Sequence, residues 1–499
     1  MKYLVTGSEM QQYDANTTEY FHTPSLLLME CAAFSLSEEI KQSIQPSDSV
    51  LIVCGTGNNG ADGLACARML LLENYNVHVF LAGDEQKATL QFKTQKQIFK
   101  AYGFSFINSI SADARFDLIV DAIFGVGLRR EISGDFYQLI ETLNSMSGQK
   151  LAVDMPSGVS ADNGAVLGIA FRADITVTFA FEKAGMYLWP GNEYVGRIIC
   201  RKIGITERSF FDRIPKIRSL EPSDLDMLSK RPSHSNKGTF GRLLLIAGCK
   251  NMAGAAALSA KAAYAAGCGL VRIYTPEENR IILQTLVPEA VITTYSSSQD
   301  VSQTLPDAMK WADAIVCGPG LGTGICSSQI VDTVIHSADI PVVFDADALN
   351  LIAVKTDCLR MPHAEFIMTP HPGEMSRLTG RPICDFCNDL IRTASDFSEK
   401  YQVVCVLKDE HTVTALPDGK VYLNLSGNNG MATAGSGDVL SGITGSLLAQ
   451  GESTEFSASM AVYLHGIAGD KMLCDTGYRG MTASDLMIGL NKIFAERKL

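Results

Sequence analysis

The sequence predicts an α/β protein of two domains, each a mostly parallel sheet wound with helices, and three observations carry that expectation. Short apolar runs such as Val50 to Cys54 and Ala314 to Cys317 end in loops bearing glycine and aspartate that open into helical patterns, the alternation of a doubly wound sheet. The composition, 46% hydrophobic and 19% charged with 43 glycines, suits a compact α/β chain rather than a disordered or fibrous one. At 499 residues the chain exceeds one ordinary core, and its strand pattern lapses once, around 203 to 231, where Gly204, Pro215 and Pro222 gather just before Pro232. The boundaries read from this are 1-215 for the first domain, 216-234 for a linker and 235-499 for the second.

In the first domain, residues 9 to 45 read as helices, with Leu26, Leu27, Leu28, Cys31 and Leu36 as an apolar stripe. The strand Val50 to Cys54 runs into Gly55-Thr56-Gly57-Asn58-Asn59-Gly60-Ala61-Asp62-Gly63 and then a helix through Leu64, Ala67, Arg68 and Leu71. Further strands read at Val77 to Ala82, Leu118 to Ile123, Leu151 to Val153 and Ile175 to Phe179. A parallel sheet gathers its strand-end loops on one edge, so Asn58 to Asp62, Asp121 to Glu131 and Asp154 to Gly158 can share a pocket. Asn59, Asp121 and a carbonyl or hydroxyl near Ser157 make a hard oxygen cage for a monovalent or divalent cation. Gly125 to Leu128 offers backbone donors to a phosphate, helped by Arg129 or Arg130. Taken singly, Asp121 and Asp154 also suit helix capping or turn chemistry.

Gly55, Gly57 and Gly60 satisfy a dinucleotide fingerprint, and Asp84 could serve as its ribose ligand in an oxidoreductase. Against that, Asn58, Asn59 and Asp62 crowd side chains where the fingerprint wants backbone, and Asp121 and Asp154 add negative charge near a pyrophosphate.

The second domain begins at His234 to Gly241, runs through a strand at Arg242 to Ala247, and turns at Met252-Ala253-Gly254-Ala255 into an alanine-rich helix suited to close packing. Strands follow at Val271 to Tyr274, Ala314 to Cys317, Val342 to Asp345, Phe366 to Thr369 and Val403 to Leu407. Gly318-Pro319-Gly320-Leu321-Gly322 is a phosphate or substrate cradle, or a tight turn. Asp345-Ala346-Asp347 offers acids to a metal or a hydroxyl, or caps a helix. Prolines flank His371 and fix its direction, with Glu374 three residues on. Lys408-Asp409-Glu410-His411-Thr412 ends a strand with a cation and a hydroxyl fit for nucleotide phosphate or ribose.

Asn428 to Asp438 is the strongest single signal. Gly430, Gly435 and Gly437 let successive N–H groups converge, and the helix that starts there adds free donors and its positive dipole end. A carboxylate beside a bound anion would be repelled by it at rest, so Asp438 suits taking a substrate hydroxyl proton while the turn stabilises a transferring phosphoryl group. The plain reading of the same turn is a glycine-rich helix start.

The net charge of −12 argues against a general nucleic-acid or membrane-surface binder. Thirteen scattered cysteines without framework spacing point to reduced thiols in the cytoplasm, and Cys384-Asp385-Phe386-Cys387 reads as an inert helix-start pair. Met1 to Gly7 lacks a signal-type apolar core, and no run approaches membrane-spanning length.

Gly57 to Gly63, Asp121 to Gly127 and Val153 to Gly158, in that order, resemble the NAD(P)H-hydrate epimerase family. That resemblance implies a Rossmann-like fold, a potassium ion on Asn59, Asp121 and Ser157, and substrate contacts from Asn58, Asn59, Gly60, Ala61 and Asp62. It extends those contacts to Gly125, Val126, Gly127, Leu128, Arg129, Arg130 and Glu131, and gives Asp154 the proton chemistry at the hydrated nicotinamide ring. Family members usually carry Gly where Ala61 stands, a small departure.

Residues 235 to 499 resemble the ADP-dependent NAD(P)H-hydrate dehydratase family, with a ribokinase-like fold. By that likeness Ala255, Gly322, His371 and Asp438 face the hydrated substrate, while Lys408, Asp409, Glu410, His411, Thr412 and Gly437 hold the adenine nucleotide. Magnesium would bridge the phosphates, with Glu374 at its water shell. The implied chemistry is metabolite repair: epimerisation of hydrated NADH or NADPH, then dehydration of the S form with ADP as donor, leaving AMP and phosphate. Its alternatives are a vitamin-type small-molecule kinase fused to a Rossmann-like binding domain, and a nucleotide-sensing module; ATP as donor and self-association through the amino-terminal helices stay open.

Overall fold

The computed structural model describes all residues except 112, 297–300, 361–363, 499 and the side chains of 302 and 303. It divides into two compact units, Tyr3–Ile217 and Met1–Lys2 with Arg218–Leu499.

The first unit holds six strands, β1 (Ser49–Cys54), β2 (Asn76–Leu81), β3 (Leu118–Ala122), β4 (Gln149–Val153), β5 (Ile175–Phe179) and β6 (Arg197–Arg201), in the order β2-β1-β3-β4-β5-β6. Every neighbouring pair is parallel. Val50, Leu51, Ile52, Val53 and Cys54 are wholly buried, because helices cover both faces and the run has no polar side to show. The chain winds from β1 outward to β2 and then returns to β3 on β1's other side. The loops after β1 and β3 therefore part and leave a crevice at the carboxyl ends of the strands.

The helical run near the amino terminus is two helices, Gly7–Glu19 and Ser25–Ser43, parted at Pro24. The edge strand β6 was not legible in the sequence: it is only half-buried and begins and ends on arginine, so no apolar run marks it.

The second unit contains β7 (Arg242–Ile246), β8 (Leu270–Pro276), β9 (Val291–Tyr295), β10 (Ala314–Cys317), β11 (Val342–Phe344), β12 (Phe366–Met368), β13 (Val404–Leu407), β14 (Val413–Ala415) and β15 (Val421–Leu423). These run in the order β15-β14-β13-β12-β11-β10-β7-β8-β9. Pairing is parallel from β9 to β13, and the hairpin β13-β14-β15 is antiparallel. The alanine-rich helix Ala253–Ala265 packs on the helix Ser436–Ala449 so closely that a Cβ on Gly442 would stand 2.2 Å from the Ser259 carbonyl oxygen. From Arg218 onward the stretch read as a linker is counted with this unit, and its short turn Pro222–Met227 brings Leu225 into the core.

Two candidate active sites

A cavity of about 720 Å³ opens where the loops after β1 and β3 part, with Asn58, Asn59, Asp62 and Asp154 in its wall and Gly125 to Arg130 along one side. Gly60 and Ala61 are not in its lining. They pack below it, and a Cβ on Gly60 would meet the Gly55 carbonyl oxygen at 1.8 Å, so glycine is what lets the helix Asn58–Leu72 leave its strand this tightly. Glu131 is exposed and also lies outside the described lining. Asp84 caps a short turn by accepting from the Gln86 amide and is not among the residues lining this cavity.

Behind the cavity sits a buried acid. Asp121, near the end of β3, accepts from the Ser157 amide and hydroxyl at 2.7 Å each and from the Ile123 amide at 3.1 Å. Burial pushes its carboxyl up to about 6 even against these hydrogen bonds. Ser157 Oγ in turn accepts from the Phe124 amide, tying the β4 loop to the β3 loop. Both polar atoms of the Asn59 amide are buried without a protein hydrogen-bond partner. The unpartnered Asn59 amide oxygen, the buried Asp121 carboxylate and the Ser157 hydroxyl are hard oxygen donors, so the chemistry of these residues fits a potassium ion.

Asp154 follows β4 in a left-handed conformation, φ +66°. Its Oδ1 lies 2.5 Å from Lys183 Nζ and accepts from Thr178 Oγ1 at 3.1 Å. A Cβ placed on Gly125 would stand 3.2 Å from both Asp154 Oδ2 and Asn59 Oδ1, so the glycine keeps open the gap between these two groups. Asp62 and Asp14 complete an acidic wall. Burial pushes both carboxyls up, Asp62 well above its ordinary range, and the Asp154 charge adds to each.

Lys183 and Asp14 escaped the sequence reading. Lys183 follows β5, so the carboxyl-edge rule applied to a fourth strand would have included it, whereas Asp14 lies on the helix Gly7–Glu19 and carries no motif.

The second site forms at the carboxyl ends of β11, β12 and β13. Asp345, wholly buried, receives Lys408 Nζ at 2.8 Å, Thr369 Oγ1 at 2.7 Å and Ser441 Oγ at 2.6 Å. Those contacts, Lys408 first, hold its carboxyl below the usual range despite burial. Asp347 accepts from the Gly322 amide at 2.8 Å and thereby pins the turn Gly318 to Gly322. Gly318, Gly320 and Gly322 all have positive φ, so this segment is a tight turn, and the Gly322 donor is already committed. Ala255 packs beneath it, 2.8 Å from where a Gly320 Cβ would be.

The turn at Gly435, φ +89°, starts the helix Ser436–Ala449, and Lys408 Nζ lies 3.4 Å from where a Gly437 Cβ would be. Asp438 is the helix's third residue, its carbonyl held by the Ser259 hydroxyl at 2.9 Å. Burial, and then the Asp345 charge, push its carboxyl up to about 7. His465, which the sequence reading did not single out, places Nε2 3.0 Å from the Ser436 carbonyl, and burial pushes its imidazole down to about 4, leaving it neutral.

His371 caps the helix Pro372–Thr379, its Nδ1 accepting from the Gly373 and Glu374 amides at 3.0 and 3.3 Å. That places the ring proton on Nε2, which lies 3.4 Å from Glu374 Oε1. Glu374 Oε2 accepts from the His371 amide, and burial raises its carboxyl to about 7. The Lys408 charge acts on His371, Glu374 and Asp438 alike, so these residues share one field. Asp409 to Thr412 lead from β13 into β14, with His411 Nδ1 against the Asn424 carbonyl at 3.1 Å. Among the described residues no group of three or more His, Cys, Asp or Glu is arranged for a metal, and no helix is long and apolar enough to cross a membrane.

Comparison with known proteins follows the same division. Residues 243–492 match the family described as NAD(P)H-hydrate dehydratase, and residues 25–185 match that described as YjeF-related protein N-terminus. A bifunctional NAD(P)H-hydrate repair enzyme from Moorella thermoacetica is 36% identical over 97% of this chain and 95% of its own. The Escherichia coli enzyme of that name is 35% identical over 89% of this chain and 84% of its own. A solved ribokinase-like superfamily protein from Enterococcus faecalis aligns with 57% of this chain and 97% of its own, at 30% identity and a TM-score of 0.51.

Proposed function

The chain belongs to the family of bifunctional NAD(P)H-hydrate repair enzymes, and from that premise we propose a division of labour between its two sites. The amino-terminal unit interconverts the R and S forms of hydrated NADH and NADPH, and the carboxy-terminal unit dehydrates the S form at the expense of ADP. Fusion then has a chemical reason: an epimer that the second site cannot take is converted to one that it can.

In the first site Asp154 handles the proton at the hydroxyl-bearing ring carbon, and Gly125 to Arg130 and Asn58 to Asp62 hold the coenzyme. Asn59, Asp121 and Ser157 would hold a potassium ion, which would supply a fixed positive charge to this site. In the second site Asp438 takes the proton of the ring hydroxyl as it attacks the β-phosphoryl group of ADP, releasing AMP. Elimination of phosphate then restores NADH or NADPH. The amides from Gly435 to Asp438 and the Lys408 ammonium face the transferring charge, and Lys408 to Thr412 with Gly437 hold the nucleotide. Ala255, Gly322 and His371 line the substrate side. Magnesium would neutralise the phosphates, with Glu374 toward its water shell. A cytoplasmic location accompanies this reading.

The observation that carries it is the Asp438 carboxyl, poised near 7 at a glycine-built helix start beside Lys408. A general base is most effective when its pKa lies near the working pH. The test is a mixture of both epimers with ADP and magnesium, followed by the return of reduced-nicotinamide absorbance. Complete return is expected. Return of the S fraction alone would overturn the coupled reading, and a stable phosphorylated product would favour the small-molecule kinase instead.

A further inference from the structure

Lys183 is fully buried. Taking an ammonium out of water costs several kcal/mol, so a lysine serving only to fill space would be better replaced by methionine or leucine. Its three N–H donors have three acceptors: Asp154 Oδ1 at 2.5 Å, Thr178 Oγ1 at 2.7 Å and the Phe179 carbonyl at 3.2 Å. Thr178, also buried, donates its own hydroxyl to the same oxygen, Asp154 Oδ1. Both side-chain donors therefore converge on one oxygen of the carboxylate. The other, Oδ2, faces the loop at Gly125, 3.2 Å from where a Cβ would stand. Lys183 and Asp154 both lie in the cavity wall, together with the acids Asp14 and Asp62, and the cations Lys87, Arg129 and Arg130 lie elsewhere in that wall.

We propose that Lys183 and Thr178 are positioning residues for epimerisation, clamping Oδ1 of Asp154 so that Oδ2 alone presents its lone pairs to the substrate. This rests on reading the amino-terminal unit as the epimerase. A carboxylate free to rotate would offer either oxygen in many orientations, and a misplacement of about 1 Å can cost a hundredfold in rate. The clamp also has a backbone component. Asp154 is held at positive φ with its amide donating to the Val177 carbonyl at 2.7 Å, so carboxylate, lysine and threonine are all referred to the end of β5. Neither member of the clamp need touch the substrate.

The test uses the full chain without ADP, following by chromatography how one purified epimer relaxes to the mixture. Lys183→Met is expected to lower kcat by about a hundredfold with KM changed by less than about threefold, and in Lys183→Ala, which leaves the ammonium's place empty, added methylammonium is expected to restore at least about tenfold of the loss. Thr178→Val is expected to lose about tenfold in kcat, while Thr178→Ser, which keeps the hydroxyl, stays within about threefold of the parent. Should Lys183→Met fail to fold, the two Thr178 variants decide alone. Equal rates for Thr178→Val and Thr178→Ser, or a Lys183→Met loss borne by KM with a Lys183→Ala loss indifferent to methylammonium, would overturn the clamp. Failure of the unmodified chain to relax the epimer would instead overturn the epimerase reading.

Discussion

Replacing Asp438 by asparagine is expected to slow turnover by a hundredfold or more and to stabilise the fold, and both effects follow from one carboxyl. The acid ordinarily titrates at 3.8 and is pushed up to about 7 here, by burial first and the Asp345 charge second. As pH rises between those values the unfolded chain has released this proton and the folded chain still holds it, so stability falls through the window and levels above about 7. At 1.36 kcal/mol for each tenfold change, the full loss is of order 4 kcal/mol. Asparagine stays neutral throughout and escapes that loss, although its amide still bears part of the burial cost. Denaturant melts at pH 4 and pH 8 are therefore expected to diverge between parent and Asp438→Asn, with the variant ahead by about 1 to 3 kcal/mol at the higher pH. In the same samples, dehydration is expected to fall by a hundredfold or more at pH 8, with ADP binding retained. The parent's rate is expected to rise through about pH 7 as the base ionises, and the residual rate of the variant to be flat there. A variant that keeps its rate, or a stability difference that does not grow with pH, would refute the reasoning.

Three further outcomes are expected. Gly125→Val puts branched carbon where an added Cβ would stand 3.2 Å from Asn59 Oδ1 and Asp154 Oδ2, and epimerisation is expected to drop by roughly five- to 160-fold, the rate equivalent of an overpacking strain of about 1 to 3 kcal/mol, while dehydration of pure S form is unchanged. Asn59→Leu removes an amide that has no protein partner, and a potassium titration of the epimerisation rate is expected to saturate for the parent and to stay flat for the variant. Lys408→Met leaves Asp345 buried without its cation, which is expected to destabilise the carboxy-terminal unit by about 3 to 5 kcal/mol in thermal melts, and adding Asp345→Asn is expected to recover part of that loss.

Much of the fold was legible because a parallel sheet covered on both faces writes its strands as apolar runs. Ile175 to Phe179 and Ala314 to Cys317 were read at their observed ends for that reason. The hairpin strands Val413–Ala415 and Val421–Leu423 were not, since three residues are too few to establish a period, nor was Val291–Tyr295, a half-exposed edge strand. Among candidate site residues, motifs picked out those on a strand-end turn or helix start: Asn59 and Asp154 lie in the first cavity's wall, and Asp438 is in the first turn of its helix. Sequence pattern cannot reveal what tertiary packing delivers from elsewhere. Asp14 reaches the first cavity from a helix far upstream, and His465 reaches the Gly435 turn from another helix some thirty residues on. Asp345 and Asp347 illustrate a subtler limit. Their spacing was equally suited to a metal, and only the structure reveals that one acid holds Lys408 and the other pins the Gly322 turn.

The two sites use the same pair of side chains, an aspartate and a lysine, fully buried in the first and half-buried in the second, in opposite arrangements. In the first, Lys183 is bonded to the acid that faces the cavity, and one oxygen of Asp154 is spent on holding it still. In the second, the lysine is bonded to a different acid. Asp345 takes Lys408 together with two hydroxyls, and Asp438 is left with the field of a neighbouring carboxylate and a cation already engaged. Burial first, and the Asp345 charge after it, give Asp438 a proton affinity near neutrality, which a base needs if it is to take a hydroxyl proton and release it again within one turnover. Moving the lysine's bond from Asp345 to Asp438 would undo this: the pair would hold Asp438 ionised at every working pH, a weaker base for a hydroxyl, and would withdraw the ammonium from the phosphoryl group. On the proposed mechanism Asp345 is thus expected to act on the reaction through Asp438. An Asp345→Asn variant is accordingly expected to lower the pH at which dehydration begins, since Lys408 is then free to pair with Asp438, and an unchanged acid limb in that variant would show that the two acids do not share the lysine.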